Sequence, residues 1–212
     1  MTQTGQINRG SVAGEFIYQL CAKTENKIIV EIGSWNGRGS TRCVMDALIA
    51  RFDDCRFYSL EAHPGMYEDA QRYWNTELLT YNTMVRDRLN LIHGRIINEE
   101  EMTPLEEVLQ SRHANQERWP QFYQYDVDSF RSCPNVLDAL PEKIDVLILD
   151  GGEFTTYAEY LLLKDRTRVL VCDDSSKYKC EKIREELLAD ESYETLIDAP
   201  TQRNGFCAFA RK

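Results

Sequence analysis

Chemistry-capable residues gather at four places in the 212-residue chain. The run EIGSWNGRGS (31–40) sets Gly33, Gly37 and Gly39 behind Glu31 and an apolar stretch. Glu61 closes FYSLE, Asp150 and Glu153 lie in VLILDGGE, and Asp173 and Asp174 end VLVCDD. Glycines let a backbone come close to a ligand. Carboxylates accept hydrogen bonds from hydroxyl or ammonium groups and ligate hard divalent cations. Together these residues suit recognition of a small polar ligand, with proton transfer or metal ligation beside it.

Two phosphate-binding templates fail on the glycine run. The P-loop spacing counted from Gly33 puts Arg38 where its second glycine belongs. The dinucleotide fingerprint would need a glycine at Trp35. The spacing that remains is acidic-x-Gly-x-x-x-Gly-x-Gly.

Strand-like and helix-like segments alternate from Lys27 onward. The runs at 27–32, 55–61, 89–94, 144–150 and 168–173 are continuously apolar, as parallel strands covered on both faces must be. Between them, 39–52 carries Val44, Leu48 and Ile49 on one helical face, Tyr67 to Leu79 behaves similarly, and a helix is expected at about 177–189. YETLID and GFCAFAR are joined by a connection too short for a crossover helix, so they form an antiparallel hairpin. The expected fold is α/β, a Rossmann-like doubly wound, mainly parallel seven-stranded sheet closed by that hairpin. One domain spans 1–212, with an insertion at about 99–135 between the third and fourth strands. There EEEMTPLEEVL reads as a capped helix and RWPQFYQYDVDSFRSCPN as an aromatic-rich excursion.

Composition narrows the partners. The net charge of −10 opposes a nucleic-acid footprint, which needs clustered Lys and Arg. No run is long enough to span a bilayer, and the N-terminus lacks the basic head and apolar core of a signal peptide, so a cytoplasmic location is expected. Seven cysteines without a C-x-x-C suit reduced, buried thiols rather than a disulfide frame.

The glycine run resembles the first motif of the class I S-adenosylmethionine-dependent methyltransferases. That resemblance implies S-adenosyl-L-methionine as cofactor, with Glu31, Gly33, Ser34, Asn36, Gly37, Gly39 and Ser40 around its amino-acid tail. It also implies Glu61 and Ala62 at the ribose, and Gly94 and Arg95 near the adenine. Asp150-Gly151-Gly152-Glu153, followed by Asp173-Asp174, looks like the metal-dependent O-methyltransferases of the catechol, macrolide-sugar and cephamycin-biosynthesis types. By that likeness Asp150, Asp173 and Asp174 hold Mg²⁺ or another divalent cation, and Asp150 also borders the cofactor. Glu153 stands where those families carry a histidine thought to be the base, so it is expected as general base or as an extra ligand.

The implied reaction is methyl transfer to a hydroxyl of a small-molecule or sugar acceptor. A non-catalytic scaffold subunit and an aminopropyl transferase of the same fold are the rivals, and a homodimer is allowed. His63 is expected on an exposed loop, His93 in the core and His113 in solvent. Lys177 and Tyr178 fit a helix-start surface or an acceptor pocket. Trp119, Phe122, Tyr123, Tyr125 and Phe130 fit either a satellite core or an acceptor wall.

Overall fold

The structure, a computed structural model, describes residues 7–51, 53–81, 83–115 and 117–212. Elements follow in the order α1 (Val12–Ala22), β1 (Ile28–Ile32), α2 (Ser40–Ile49), β2 (Arg56–Glu61), α3 (Pro64–Glu77), α4 (Thr83–Arg86), β3 (Leu89–His93), α5 (Leu105–Leu109), α6 (Trp119–Ser132), β4 (Ile144–Leu149), α7 (Thr156–Leu163), β5 (Thr167–Asp173), α8 (Tyr178–Ala189), β6 (Tyr193–Ala199) and β7 (Phe206–Arg211). Among the described residues, seven strands form a single sheet of order β3-β2-β1-β4-β5-β7-β6. Neighbours from β3 to β5 pair in parallel, and β7 runs antiparallel to both β5 and β6. This is the doubly wound sheet with an antiparallel C-terminal finish that the sequence predicts.

Alternation along each strand divides the core into two layers. Leu147 and Leu149 face one side with Leu170, Phe209 and the helices α5 to α8. Val146 and Ile148 face the other with Phe57, Val171 and the helices α1 to α3. Strands buried on both faces have no polar side, which is why their sequences read as unbroken apolar runs. All seven cysteines are free and buried.

Several boundaries move. The helix expected over 39–52 ends at Ile49, where the buried Arg51 and Arg88 take over: Arg88 Nη1 donates to the carbonyls of Leu48 and Arg51. Phe52, inside that expected span, and the first six residues of the N-terminal stretch lie outside the described residues. The helix expected from Tyr67 starts earlier, at Pro64, where His63 Nδ1 accepts from the Met66 N–H and proline fits the first turn. The excursion before β4 is more regular than its sequence suggests, since 119–132 is a helix with Pro120 in its first turn. Among the described residues no helix is long and apolar enough to cross a membrane.

Phe209 is fully buried on β7, opposite Leu170 of β5. Phe209→Ala should cost about 3–5 kcal/mol by loss of transfer energy and the cavity left behind. Urea denaturation of the two proteins checks this; a loss under about 1 kcal/mol would mean that the site collapses or is looser than its packing implies.

Candidate functional site

In an open α/β sheet, ligands bind beyond the carboxyl ends of the strands where the strand order reverses. Here that point lies between β1 and β4, and the backbone there is crowded. Gly33 has φ +91°, and a Cβ built on it would overlap the carbonyl of Asp150. Its N–H and that of Ser34 donate to Leu60 O at 2.9 and 3.0 Å, while Asp150 N donates to Ile32 O at 2.9 Å. The loops after β1, β2 and β4 are thereby stitched together. They bound a cavity of about 410 Å³ whose walls include Gly33, Ser34, Gly39, Ser40, Glu61, Ala62, Gly94, Arg95, Asp150, Asp173 and Asp174.

The other residues of the expected loop set stand back from this cavity. Gly37 (φ +74°) faces α3, where a Cβ would come within 2.8 Å of Trp74 Nε1. Asn36 Oδ1 accepts from Arg38 N at 3.2 Å. Glu31 is fully buried, and its Oε2 accepts from Thr41 Oγ1 at 2.7 Å and Ser59 Oγ at 2.6 Å. Burial pushes its carboxyl up, offset by the hydroxyls of Ser40, Ser59 and Thr41. Glu31 therefore ties the first turn of α2 to β2 instead of lining the cavity.

Glu61 does face the cavity. Its Oε2 accepts from Trp35 N at 2.7 Å and its Oε1 from His63 N at 2.9 Å, which fixes both oxygens and leaves each a second lone pair. Burial pushes this carboxyl up to about 7 against those two bonds. Trp35 itself is left-handed (φ 51°) and 47% exposed beside the cavity, an uncommon posture for so bulky a residue. Arg95 reaches the wall, but its guanidinium is turned to the insertion, donating to Phe130 O at 3.0 Å and Ile97 O at 2.8 Å.

The acidic strand ends converge as expected: one oxygen each from Asp150, Asp173 and Asp174 lie within 4.8 Å of one another. A donor set of that kind suits a hard cation. Two cations of the chain already answer it. Lys179 Nζ stands 2.7 Å from Asp150 Oδ1 and 3.1 Å from Asp174 Oδ2, with its side chain only 6% exposed. Arg203 Nη2 bonds Asp173 and lies 3.3 Å from Asp174 Oδ1. Asp174 and Arg203 both carry left-handed backbones (φ 54°), strain that clusters at built sites. Burial opposes the Lys179 charge, but Asp150 and Asp174 outweigh it and hold the ammonium protonated. Mg²⁺ at the triad would meet this ammonium among its own ligands, so in this arrangement the residues present do not fit the metal.

Glu153 also departs from its expected place. It lies outside the cavity wall, where burial pushes its carboxyl up against the nearby charge of Lys179 in the first turn of α8, and its Oε2 is buried without a hydrogen-bond partner. Two further carboxylates line the cavity, Asp126 of α6 and Glu159 of α7. Burial and the charge of Glu153 push Asp126 up to about 7, and burial pushes Glu159 up to about 8. Glu159 Oε2 is buried without a hydrogen-bond partner.

Of the histidines, His63 caps α3, His93 Nε2 lies 3.1 Å from Ala62 O, and His113 pairs with Glu181 at 2.9 Å rather than facing solvent. The insertion's aromatics split: Trp119, Tyr123 and Phe130 pack into the core, with Phe130 also touching the cavity, while Phe122 is exposed. Tyr125 lines the cavity and stacks on His63 with centroids 4.5 Å apart. Lys177 caps α8 by its backbone, and Tyr178 OH donates to Glu107 at 3.1 Å.

No protein-family model matches the chain, and no curated protein matches it. Solved structures do. The chain is similar to a putative caffeoyl-CoA O-methyltransferase from Staphylococcus aureus (13% identity, 99% of this chain and 86% of that one, TM-score 0.61). It is also similar to the O-methyltransferase from Bacillus cereus in complex with SAH (14%, 94% and 80%, 0.57). A third is the O-methyltransferase TomG from Streptomyces achromogenes, involved in tomaymycin synthesis, in complex with SAM (14%, 94% and 79%, 0.55). At such identities the likeness establishes the fold, which is that of the class I S-adenosylmethionine-dependent methyltransferases.

The raised carboxyls set a pH dependence. Burial pushes Glu61 and Asp126 up to about 7 when folded, against ordinary values of 4.5 and 3.8, so the folded state binds more protons than the unfolded. Stability is then greatest below the unfolded values and falls as pH rises through 7. Urea midpoints should drop between about pH 4.5 and 7.5, and Asp126→Asn should flatten the drop. A midpoint that rises across this window would show that these carboxyls ionise freely when folded.

Proposed function

We propose that the protein is an S-adenosylmethionine-dependent O-methyltransferase acting on a hydroxyl of a small-molecule or sugar acceptor. The observation that carries this reading is the single cavity onto which Gly33, Glu61 and Asp150 open at the switch point of a methyltransferase-fold sheet. When bound, the cofactor supplies an electrophilic methyl group. Backbone at Gly33 and Ser34 admits its amino-acid tail, and the fixed oxygens of Glu61 accept from the ribose hydroxyls. The chain's further contribution is positioning, because in-line displacement gains most from holding the acceptor oxygen against the methyl carbon. The hydroxyl proton needs a carboxylate on the acceptor wall. Asp126 supports that role better than Glu153, since it faces the cavity and titrates near neutrality. The Tyr125 ring offers a face on which a sugar or flat acceptor can stack. Assistance by Mg²⁺ is left out of this mechanism, because Lys179 holds two of the three carboxylates it would need.

A second reading, aminopropyl transfer to a polyamine, is favoured by Glu159, whose unpartnered buried oxygen on the cavity wall would suit an ammonium.

Calorimetric titration with S-adenosylhomocysteine should give micromolar binding, weakened by about tenfold or more in Glu61→Ala, as expected when hydrogen bonds to a buried charged acceptor are lost. Folded wild-type protein that takes up no S-adenosylhomocysteine would remove the cofactor, and a scaffold role would stand instead. Asp126→Asn should keep the binding and lower methyl transfer by about a hundredfold, the contribution of one general base.

A further inference from the structure

We propose that Lys179 is the resident cation of the acidic triad, so that the chain works with a built-in ammonium and does not bind a divalent ion there. The inference shares its location with the proposed methyl-transfer site and rests on that reading only for its catalytic meaning.

Three observations on separate elements converge on it. The Lys179 side chain leaves the first turn of α8 and buries its ammonium between the ends of β4 and β5, at hydrogen-bond distance from Asp150 (2.7 Å) and Asp174 (3.1 Å). An ammonium carries three donors and a single charge, and it occupies the space where a metal would need these same oxygens. Arg203, from the turn between β6 and β7, bonds the third carboxylate and lies against Asp174. Three carboxylates thus meet two fixed cations, and a divalent ion would bring excess positive charge into a buried cluster. Glu153, finally, lies close enough to Lys179 for the lysine's charge to favour its ionised carboxylate. It adds a further acid to the surroundings of the ammonium, at the position where the resemblance leads one to expect a histidine base.

The arrangement gives Lys179, together with Arg203, the structural work of a metal: the two cations draw three mutually repelling carboxylates together beside the cofactor cavity. It differs from a metal in what it offers the acceptor. Lys179 lies behind the cavity wall, whereas Arg203 is part of it, so positive charge reaches the cavity through a guanidinium. Acceptor hydroxyls would be oriented by hydrogen bonds and not acidified by Lewis-acid contact.

The test is a Mn²⁺ titration of the full chain followed by electron paramagnetic resonance. Wild type should leave Mn²⁺ free up to millimolar concentration. Lys179→Met, which keeps the packing of the stem, should bind a single Mn²⁺ at least about tenfold more tightly, because it frees the Asp150 and Asp174 oxygens that the ammonium holds. Its melting temperature should be lower than that of the wild type and should recover with Mn²⁺. Lys179→Gln serves as a second variant if the first does not fold. Tight binding of a single Mn²⁺ by wild type, lost in Asp173→Asn, would overturn the proposal, as would folded variants that gain no affinity. S-adenosylhomocysteine binding on the same samples keeps the two readings apart, since its absence counts against the cofactor and says nothing of the lysine.

Discussion

The contact of Gly33 with the Asp150 carbonyl is the constraint from which the rest of the site follows. Two neighbouring parallel strands, β1 and β4, end side by side, and their chains must leave in different directions. Only a residue without a Cβ, able to take φ +91°, lets the first chain turn over the second. Once it does, the N–H groups of Gly33 and Ser34 lock onto Leu60 O at the end of β2. The positions of Glu61 and Asp150 relative to each other are then fixed by backbone, before any side chain contributes.

Around this fixed frame the chain buries many carboxylates and treats them in three ways. Glu31 takes the hydroxyls of Thr41 and Ser59 on one oxygen, so it ties the sheet to α2 while its Oε1 stays buried without a partner. Asp150, Asp173 and Asp174 are answered by the cations of Lys179 and Arg203. Asp126 and Glu159 have no basic partner among the described ion pairs, and burial holds both closer to neutral form. A buried acid left so is costly, and such groups concentrate where protons or ligands are handled. Asp150 stands between the groups, since burial pushes it up to about 8 even with the Lys179 ammonium beside it.

The fold and the frame of the site were legible in sequence because both are local signals. Unbroken apolar runs mark covered strands, and acids at their ends mark one edge of the sheet. Lys179 was not legible, since in KYKCEK nothing distinguishes it from Lys177 or Lys182. Its burial is decided by the adjacency of β4 and β5, which brings Asp150 within reach from 29 residues away. Arg203 was hidden for the same reason, in a turn that reads as solvent-exposed. Glu159 did leave a signal: it shares the helical stripe of Thr156, Tyr160 and Leu163, a lone carboxylate on a buried face. Glu153 misled because a motif fixes sequence position and not direction, and its carboxylate lies off the cavity wall, buried near Lys179.

The clasp at Arg95 carries a consequence for how this molecule could change. Its guanidinium holds the insertion through the carbonyls of Phe130 and Ile97, and its own backbone joins Pro134 and Val136. Almost every one of these contacts reads main chain, which every residue type supplies alike. The side chains of α6, including those that line the cavity, can therefore drift without loosening the contacts that seat it. A segment gripped by its backbone leaves its cavity face free to be rewritten, while the loop edge pinned at Gly33 has no such latitude.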